Sequence, residues 1–430
     1  MLATLGTRQP RAVVHFGVAM LGRWDMKFEQ AFMGARVLAA GVWLLGSGCG
    51  SDAGDSTTVE QEGSAAEESA QSGTQCAVIV GGHCIKDALQ DECGLDTGYE
   101  GDIMCLQPPS ADEGFQMHLG PTEYTEEGMR DYVLPPGEEG TRCIWVTTDN
   151  DSVVTYYERV VHMRPVSHHL ITSIMPATSM PADYEGGWAS CGSTRQRTGS
   201  LGGSETVRQL YPANGIYPPE FADVGRALPS TSVIRIEMHY LNATDMDLLR
   251  EMWMNVYYKP QEAIEDWVAD VNVIGGLASA TPPGAHTVML NTHRISTDAR
   301  IVSIFGHYHA HTTRFSVWHR KAAGEELVYE DFDWFDPATL NYDSLTVNPE
   351  PDRDLLIPGG HTGILDFEPG DEMYWECEVV NESDSILYFA NEAFTGEMCN
   401  VFGEYIGGGG LATASYPGRE MPYDEYLEGQ

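Results

Sequence analysis

From about residue 113 onward the chain is written in short runs of β-branched and aromatic residues. Examples are "RCIWVTT", "SVVTYYERVVHM", "HHLITSIM", "SVIRIEMHYL", "MWMNVYYK", "ARIVSIFGHYHAHTTRFSVW", "EMYWECEVV" and "SILYFA". Between them lie "PPGEEG", "TDND", "PPGAH", "IPGGHTG" and "EPGD". Short alternating stretches bounded by Gly, Pro and Asp are the signature of strands joined by tight turns. The pattern therefore predicts an all-β chain of antiparallel β-sandwiches. Amphipathic helical periodicity is scarce, and "TDMDLLREMWM" is the one weak helix candidate. A break falls near 272–283, where "VIGGLASATPPG" follows a strand-like run. At 430 residues the chain is long enough for two core-bearing domains with tails.

The N-terminal stretch has a different character. "MKFEQAFMGARVLAAGVWLLGSGCGSD" carries sparse basic residues (Lys27, Arg36), an apolar run from Val37 to Leu45, and small residues ending at Cys49. The run is too short for a permanent membrane span and reads as an export signal. It resembles a bacterial lipoprotein signal, in which the cysteine is acylated, except that Gly46 stands where a large aliphatic residue is usual. Met26 or Met33 would give a more ordinary signal start than Met1. Residues 50–75, rich in Ser, Gly, Ala and Glu, read as a disordered tether. The expected organisation is thus a signal (1–49), a tether (50–75), a small cysteine-rich segment (76–112), two sandwiches (113–275 and 276–416) and an acidic tail (417–430). Such a chain would be periplasmic, anchored to an outer membrane through Cys49, or extracellular.

Charge and cysteines narrow the surroundings. A formal charge of −40 argues against nucleic acid and anionic lipid surfaces as partners. Eight cysteines follow Cys49: Cys76, Cys84, Cys93, Cys105, Cys143, Cys191, Cys377 and Cys399. An even set in an exported chain reads as disulfides. Four of them fall within 76–108 and suggest a small knot held by two bridges. No C-x-x-C occurs, which removes zinc-ribbon, thioredoxin and haem-attachment readings. "GGGG" at 407–410 opens no helix and reads as linker rather than a nucleotide loop.

The histidines carry the candidate chemistry. His307, His309 and His311 share one apolar, aromatic run, and alternate residues of a strand project from one face. Imidazoles in that arrangement suit copper, zinc, iron or nickel. His168 and His169 are adjacent, so both reach one ion only at an irregularity, which Pro165 makes plausible. His239 ends a hydrophobic strand. Met398, in "GEMCN", adds a thioether, a soft donor suited to Cu(I). Cys399 would compete as a thiolate. Cys377, 22 residues earlier, stands at a separation suited to a strand-to-strand bridge that would remove the thiolate and pin Met398.

"SHHLITSI", "IEMHYLNATD", "FGHYHAHTTRFSVW" and "GDEMYWECEVVNES…TGEMCNVF", in this order, resemble the copper type II ascorbate-dependent monooxygenases over roughly residues 113–405. The resemblance implies two antiparallel β-sandwiches facing each other across a solvent-filled cleft, each holding one copper. It assigns His168, His169 and His239 to an electron-transfer copper and His307, His309 and Met398 to a catalytic copper. His311 remains a possible substitute ligand, and Cys377–Cys399 matches a family disulfide. The implied reaction takes O₂ and electrons from ascorbate or a similar donor, and converts a C–H bond of a small molecule to an alcohol. Phe305 and Phe402 stand where peptide-processing members carry an arginine and a tyrosine, so a peptide with a free C-terminal glycine is not the expected substrate. Cys143 and Cys191, the only cysteines left in the first sandwich, are expected to pair.

Two other readings stand beside this one. A non-catalytic exported copper-binding or surface protein would keep the same ligands. A zinc hydrolase using His307 and His309 would need a general base, and no H-E-x-x-H spacing supplies one.

Overall fold

In the computed structural model the alternating runs are strands. It describes residues 78–80, 83–85, 89–165, 167–184, 186–192, 196–211, 221–342, 363–408, 411 and 414–428. Cys49, the signal, the tether and Cys76 lie outside these residues. The principal strands of the first half are β1 (Gly114–Leu119), β2 (Glu139–Thr147), β3 (Val154–Met163), β4 (Ser167–Pro176), β5 (Val224–Leu228), β6 (Ser232–Leu241) and β7 (Met252–Tyr258). Those of the second are β8 (Asp266–Gly275), β9 (His286–Arg294), β10 (Ala299–Tyr308), β11 (Thr312–Lys321), β12 (Gly324–Asp331), β13 (Glu372–Val380) and β14 (Cys399–Gly407).

Each half is an antiparallel sandwich. In the first, a sheet in the order β5-β3-β7-β1 packs on β2-β6-β4. Its core includes Tyr156, Val161, Ile174, Ile234, Ile236 and Met254. In the second, β10-β14-β8 packs on β12-β11-β13-β9 around Ile304, Phe315, Val317, Tyr329, Trp375 and Val401. A short parallel contact, Val224 with Asp266 and Gly225 with Trp267, joins β5 to β8. The first sheets of both halves thereby form one eleven-stranded sheet.

Period-two alternation decides which residues meet at the seam. In β6, Ile234, Ile236 and Met238 enter the first core. Arg235, Glu237 and His239 project from the opposite face. There Arg235 and His239 are buried all the same, because the second half covers them. An ion-pair chain crosses this seam. Glu404 Oε1 accepts from Arg159 Nη2 and Arg226 Nη2, each at 2.6 Å. Asp270 accepts from Arg226 Nη1 at 2.8 Å and from Arg197 Nη2 at 2.6 Å. Burial alone would raise Asp270, but Arg226 and Arg197 hold its carboxyl below the usual range.

Three disulfides stand among the described residues: Cys93–Cys105, Cys143–Cys191 and Cys377–Cys399. The last two are the expected pairs. Among the described residues no helix is long and apolar enough to cross a membrane. Three local expectations need correction. "TDMDLLREMWM" is extended, contributing Leu248–Leu249 and the start of β7, because its apolar side chains are drawn into the sheet rather than onto a helix face. β8 pairs along its length with β14 of the second half, although the break read near 272–283 put it at the end of the first. Residues 419–428 are integrated: Arg419–Pro422 adds an edge strand to β9, and a helix over Tyr423–Glu428 places the Tyr426 hydroxyl 2.7 Å from Glu376 Oε1.

Two positions yield direct expectations. Gly403 in β14 has φ +151, and a Cβ there would lie 2.0 Å from the Ser303 carbonyl oxygen, beside the bulge in β10 between Ile301 and Ser303. Gly403→Ala should therefore destabilise the fold by about 2 kcal/mol or more, as measured by urea unfolding. His162 packs under the cysteine-rich segment, with Nδ1 2.9 Å from the Met104 carbonyl and Arg208 Nε donating to Nε2 at 3.2 Å. Burial, and then the Arg208 charge, push its pKa down to about 4. Above the unfolded value near 6.5 neither state takes a proton. Below it only the unfolded chain does, so stability falls from about pH 6.5 to about pH 4, by roughly 3 kcal/mol for this one group. Urea unfolding at several pH values should show a shallower acid slope in His162→Gln than in the parent.

Candidate metal centre

Four separate stretches bring the predicted side chains together. On β4 and β6, His169 lies directly opposite His239, and the next pair is Ser167 with Tyr240. His168 is therefore the extra residue of a β-bulge, and bulges re-aim side chains. This is the irregularity that two adjacent histidines require to reach one centre. The His168, His169 and His239 nitrogens lie within 4.8 Å of one another. In the second half, His307 occupies the end of β10 opposite Asn400, and Tyr308 lies opposite Cys399. Continuing that register past the strand end sets His309 beside Met398. The Met398 sulfur lies 3.1 Å from His307 Nε2.

The two sets do not form separate pockets across a solvent-filled cleft. Ring centroids of His169 and His307 are 4.7 Å apart, those of His168 and His309 6.1 Å, and those of His239 and His309 6.4 Å. No cluster member exceeds 8% exposure. The bulged end of the first sandwich and the end of β10 abut because the ion-pair chain and the shared sheet clamp the halves. His311 takes no part in this cluster. β10 ends at Tyr308, the chain turns, and His311 Nε2 instead meets the Phe394 carbonyl at 3.0 Å.

Buried carboxylates orient the rings, and the sequence reading missed them. Glu205 Oε2 lies 2.7 Å from His307 Nδ1, leaving Nε2 toward Met398. Glu139 Oε1 lies 3.0 Å from His239 Nε2 and accepts from the Ala393 amide at 2.6 Å, so one carboxylate ties a first-half imidazole to a second-half loop. Glu397 Oε1 accepts from the amides of His309 and Met398 at 2.7 and 2.9 Å. A carboxylate on one imidazole nitrogen fixes the ring and frees the other nitrogen for a metal. Nothing in the spacing of Glu205 or Glu139 marks them, since their partners lie 102 and 100 residues away.

The electrostatics favour neutral donors. Burial, then the neighbouring imidazoles, lower the pKa values of His169 and His309 well below the usual range, and that of His307 to about 3. Burial raises the Glu205 carboxyl well above the usual carboxylate range. His169 Nδ1, His239 Nδ1 and His309 Nε2 are buried without a hydrogen-bond partner. Uncompensated buried polar atoms are costly and call for a ligand. Cys399 is tied to Cys377, so no thiolate competes. Five borderline imidazoles and one soft thioether make a neutral donor set that fits copper. Phe402 lies tilted 5.4 Å from His307 and edge-on 6.0 Å from Phe305, and the two phenylalanines form an apolar wall beside the cluster.

No family model matches the chain, and no curated protein matches it.

Proposed function

We propose that this is an exported copper-dependent monooxygenase that hydroxylates a C–H bond of a small organic molecule, using O₂ and a one-electron donor such as ascorbate. One observation carries the reading: His168, His169, His239, His307, His309 and Met398 converge from distant stretches into one buried cluster. Copper held there would supply one-electron redox chemistry and activation of O₂. Six neutral donors exceed what one four-coordinate ion takes, which supports two ions per chain. Within the chain, Glu205, Glu139 and Glu397 hold the ligands in place, and the Phe305–Phe402 wall keeps water from the second-half donors. The disulfides and the acidic surface suit an oxidising exterior, with Cys49 as the candidate lipid anchor.

The test is copper quantitation with oxygen uptake. About two coppers per chain, with ascorbate-dependent O₂ consumption on part of a broad substrate panel, is the expected result. Two coppers without uptake on any substrate would favour a non-catalytic copper protein. One further feature favours a different metal. Glu205 lies with His169 and His307 in a two-histidine, one-carboxylate group whose ligand atoms fall within 4.8 Å. Such a set also suits zinc or iron. Preferential loading with either, in competition with copper, would move the reading there.

A further inference from the structure

A cavity of about 170 Å³ lies at the seam beside the cluster. At one end it meets Glu205 and Phe402, which contact His307. At the other end it meets Arg235 and Ser173. Ile171, Val271, Ile274 and Phe305 add apolar lining, and Glu237, Asp270, Asn272 and Glu404 polar lining.

The far end is built for an anion. Arg235 is 3% exposed. One of its terminal nitrogens pairs with Glu237, but Nε and Nη1 are buried with no acceptor. Ser173 lies directly opposite Arg235 in the sheet, and its hydroxyl is buried and unpartnered too. A guanidinium presents five N–H donors, and burying some of them unmet is costly. The neighbouring ion-pair chain sets Arg159, Arg226 and Arg197 against Glu404 and Asp270, and Glu237 and Glu205 also line the cavity, so it is the unmet Arg235 and Ser173 donors, not a net charge, that call for an anion.

We propose that this cavity binds an amphipathic carboxylic acid, with its carboxylate on Arg235 and Ser173 and its apolar body running toward His307. Arg235 and His239 are four residues apart on one face of β6, a span of about 13 Å at strand rise. That separation sets the scale of the molecule: a medium-length aliphatic or phenylalkyl acid, presenting a carbon remote from its carboxylate to the metal end. Calling the acid a substrate rests on the copper-oxygenase reading; the anion site itself does not.

The test is calorimetric titration of the full chain, copper-loaded and again after chelation. The probes are octanoate and phenylbutyrate, each against its neutral amide. The acids are expected to bind about ten-fold or more tighter than the amides in both states, the size of a charged hydrogen bond. Arg235→Gln should erase the preference, and Arg235→Lys should retain part of it. Equal affinity of acid and amide in the parent chain, or no binding of either, would overturn the proposal without reference to any variant. Competition by inorganic phosphate as strong as that of octanoate would overturn the carboxylate assignment. Acid binding after chelation is indifferent to copper chemistry. A failure to load copper therefore sinks the oxygenase reading and leaves this site standing, and the reverse result does the opposite.

Discussion

Met398→Ala is expected to lower ascorbate-dependent oxygen uptake by about 100-fold or more while the chain keeps its first-half metal ligands. The thioether is the one soft donor among the six side chains, and several contacts fix its position. Glu397 holds the Met398 amide, the neighbouring Cys399 is bridged to Cys377, and Asn400 Nδ2 lies 3.5 Å from the sulfur. A side chain restrained on both sides of its own backbone has little freedom to be replaced by a neighbour. Copper content should drop by about one ion per chain, and His168, His169 and His239 should retain theirs. Met398→Leu separates packing from ligation. It preserves volume, so urea unfolding should change by less than about 1.5 kcal/mol, yet oxygen uptake should fall as far as in the alanine variant. Wild-type uptake in Met398→Leu would mean that the sulfur only fills space.

The largest expected loss of stability is at Glu404, which follows Met398 closely on β14 and is central to the seam. Its carboxylate is the shared acceptor of two buried guanidiniums, Arg159 and Arg226. Glu404→Gln keeps the shape and removes the charge, which leaves Arg159 buried without a carboxylate and Arg226 with Asp270 alone. Breaking a buried ion pair in this one-sided way costs about 3–5 kcal/mol. Urea unfolding should register a loss of that order. Because the pair spans the two halves, copper occupancy of the merged cluster should fall with it. A change within about 1 kcal/mol would show that the seam is held by the shared sheet and its apolar contacts instead, such as Val268 and Val302 against Tyr157.

Much of the fold could be read from alternation alone. The runs around Ile144, Val161, Ile236 and Val317 are period-two patterns with turn residues between them, and each became a strand. Alternation says which face a residue takes but not which strand lies beside it. That is why β8 was placed with the first half, and why residues 419–422 were read as tail rather than edge strand. The same limit explains the site. The donors were legible because imidazole and thioether in apolar runs are chemically conspicuous. The need for an irregularity at His168 was legible because adjacent strand residues face opposite ways. His311 could only be kept as a possible substitute ligand, because nothing in "HYHAHTT" announces that the strand stops at Tyr308. Glu205, Glu139 and Arg235 were invisible because their roles come from partners across the seam, and separation along the chain carries no signal of that kind. The meeting of both histidine sets in one enclosed cluster is likewise a property of the packed halves, which no single stretch encodes.

The most direct test is copper X-ray absorption on the fully reduced, copper-loaded chain, read for the atoms around the metal. Imidazole shells together with one sulfur shell that vanishes in Met398→Leu are the expected result. A spectrum with nitrogen and oxygen scatterers alone, unchanged by that substitution, would contradict the assignment of Met398, with His307 and His309, to one of two coppers in the cluster.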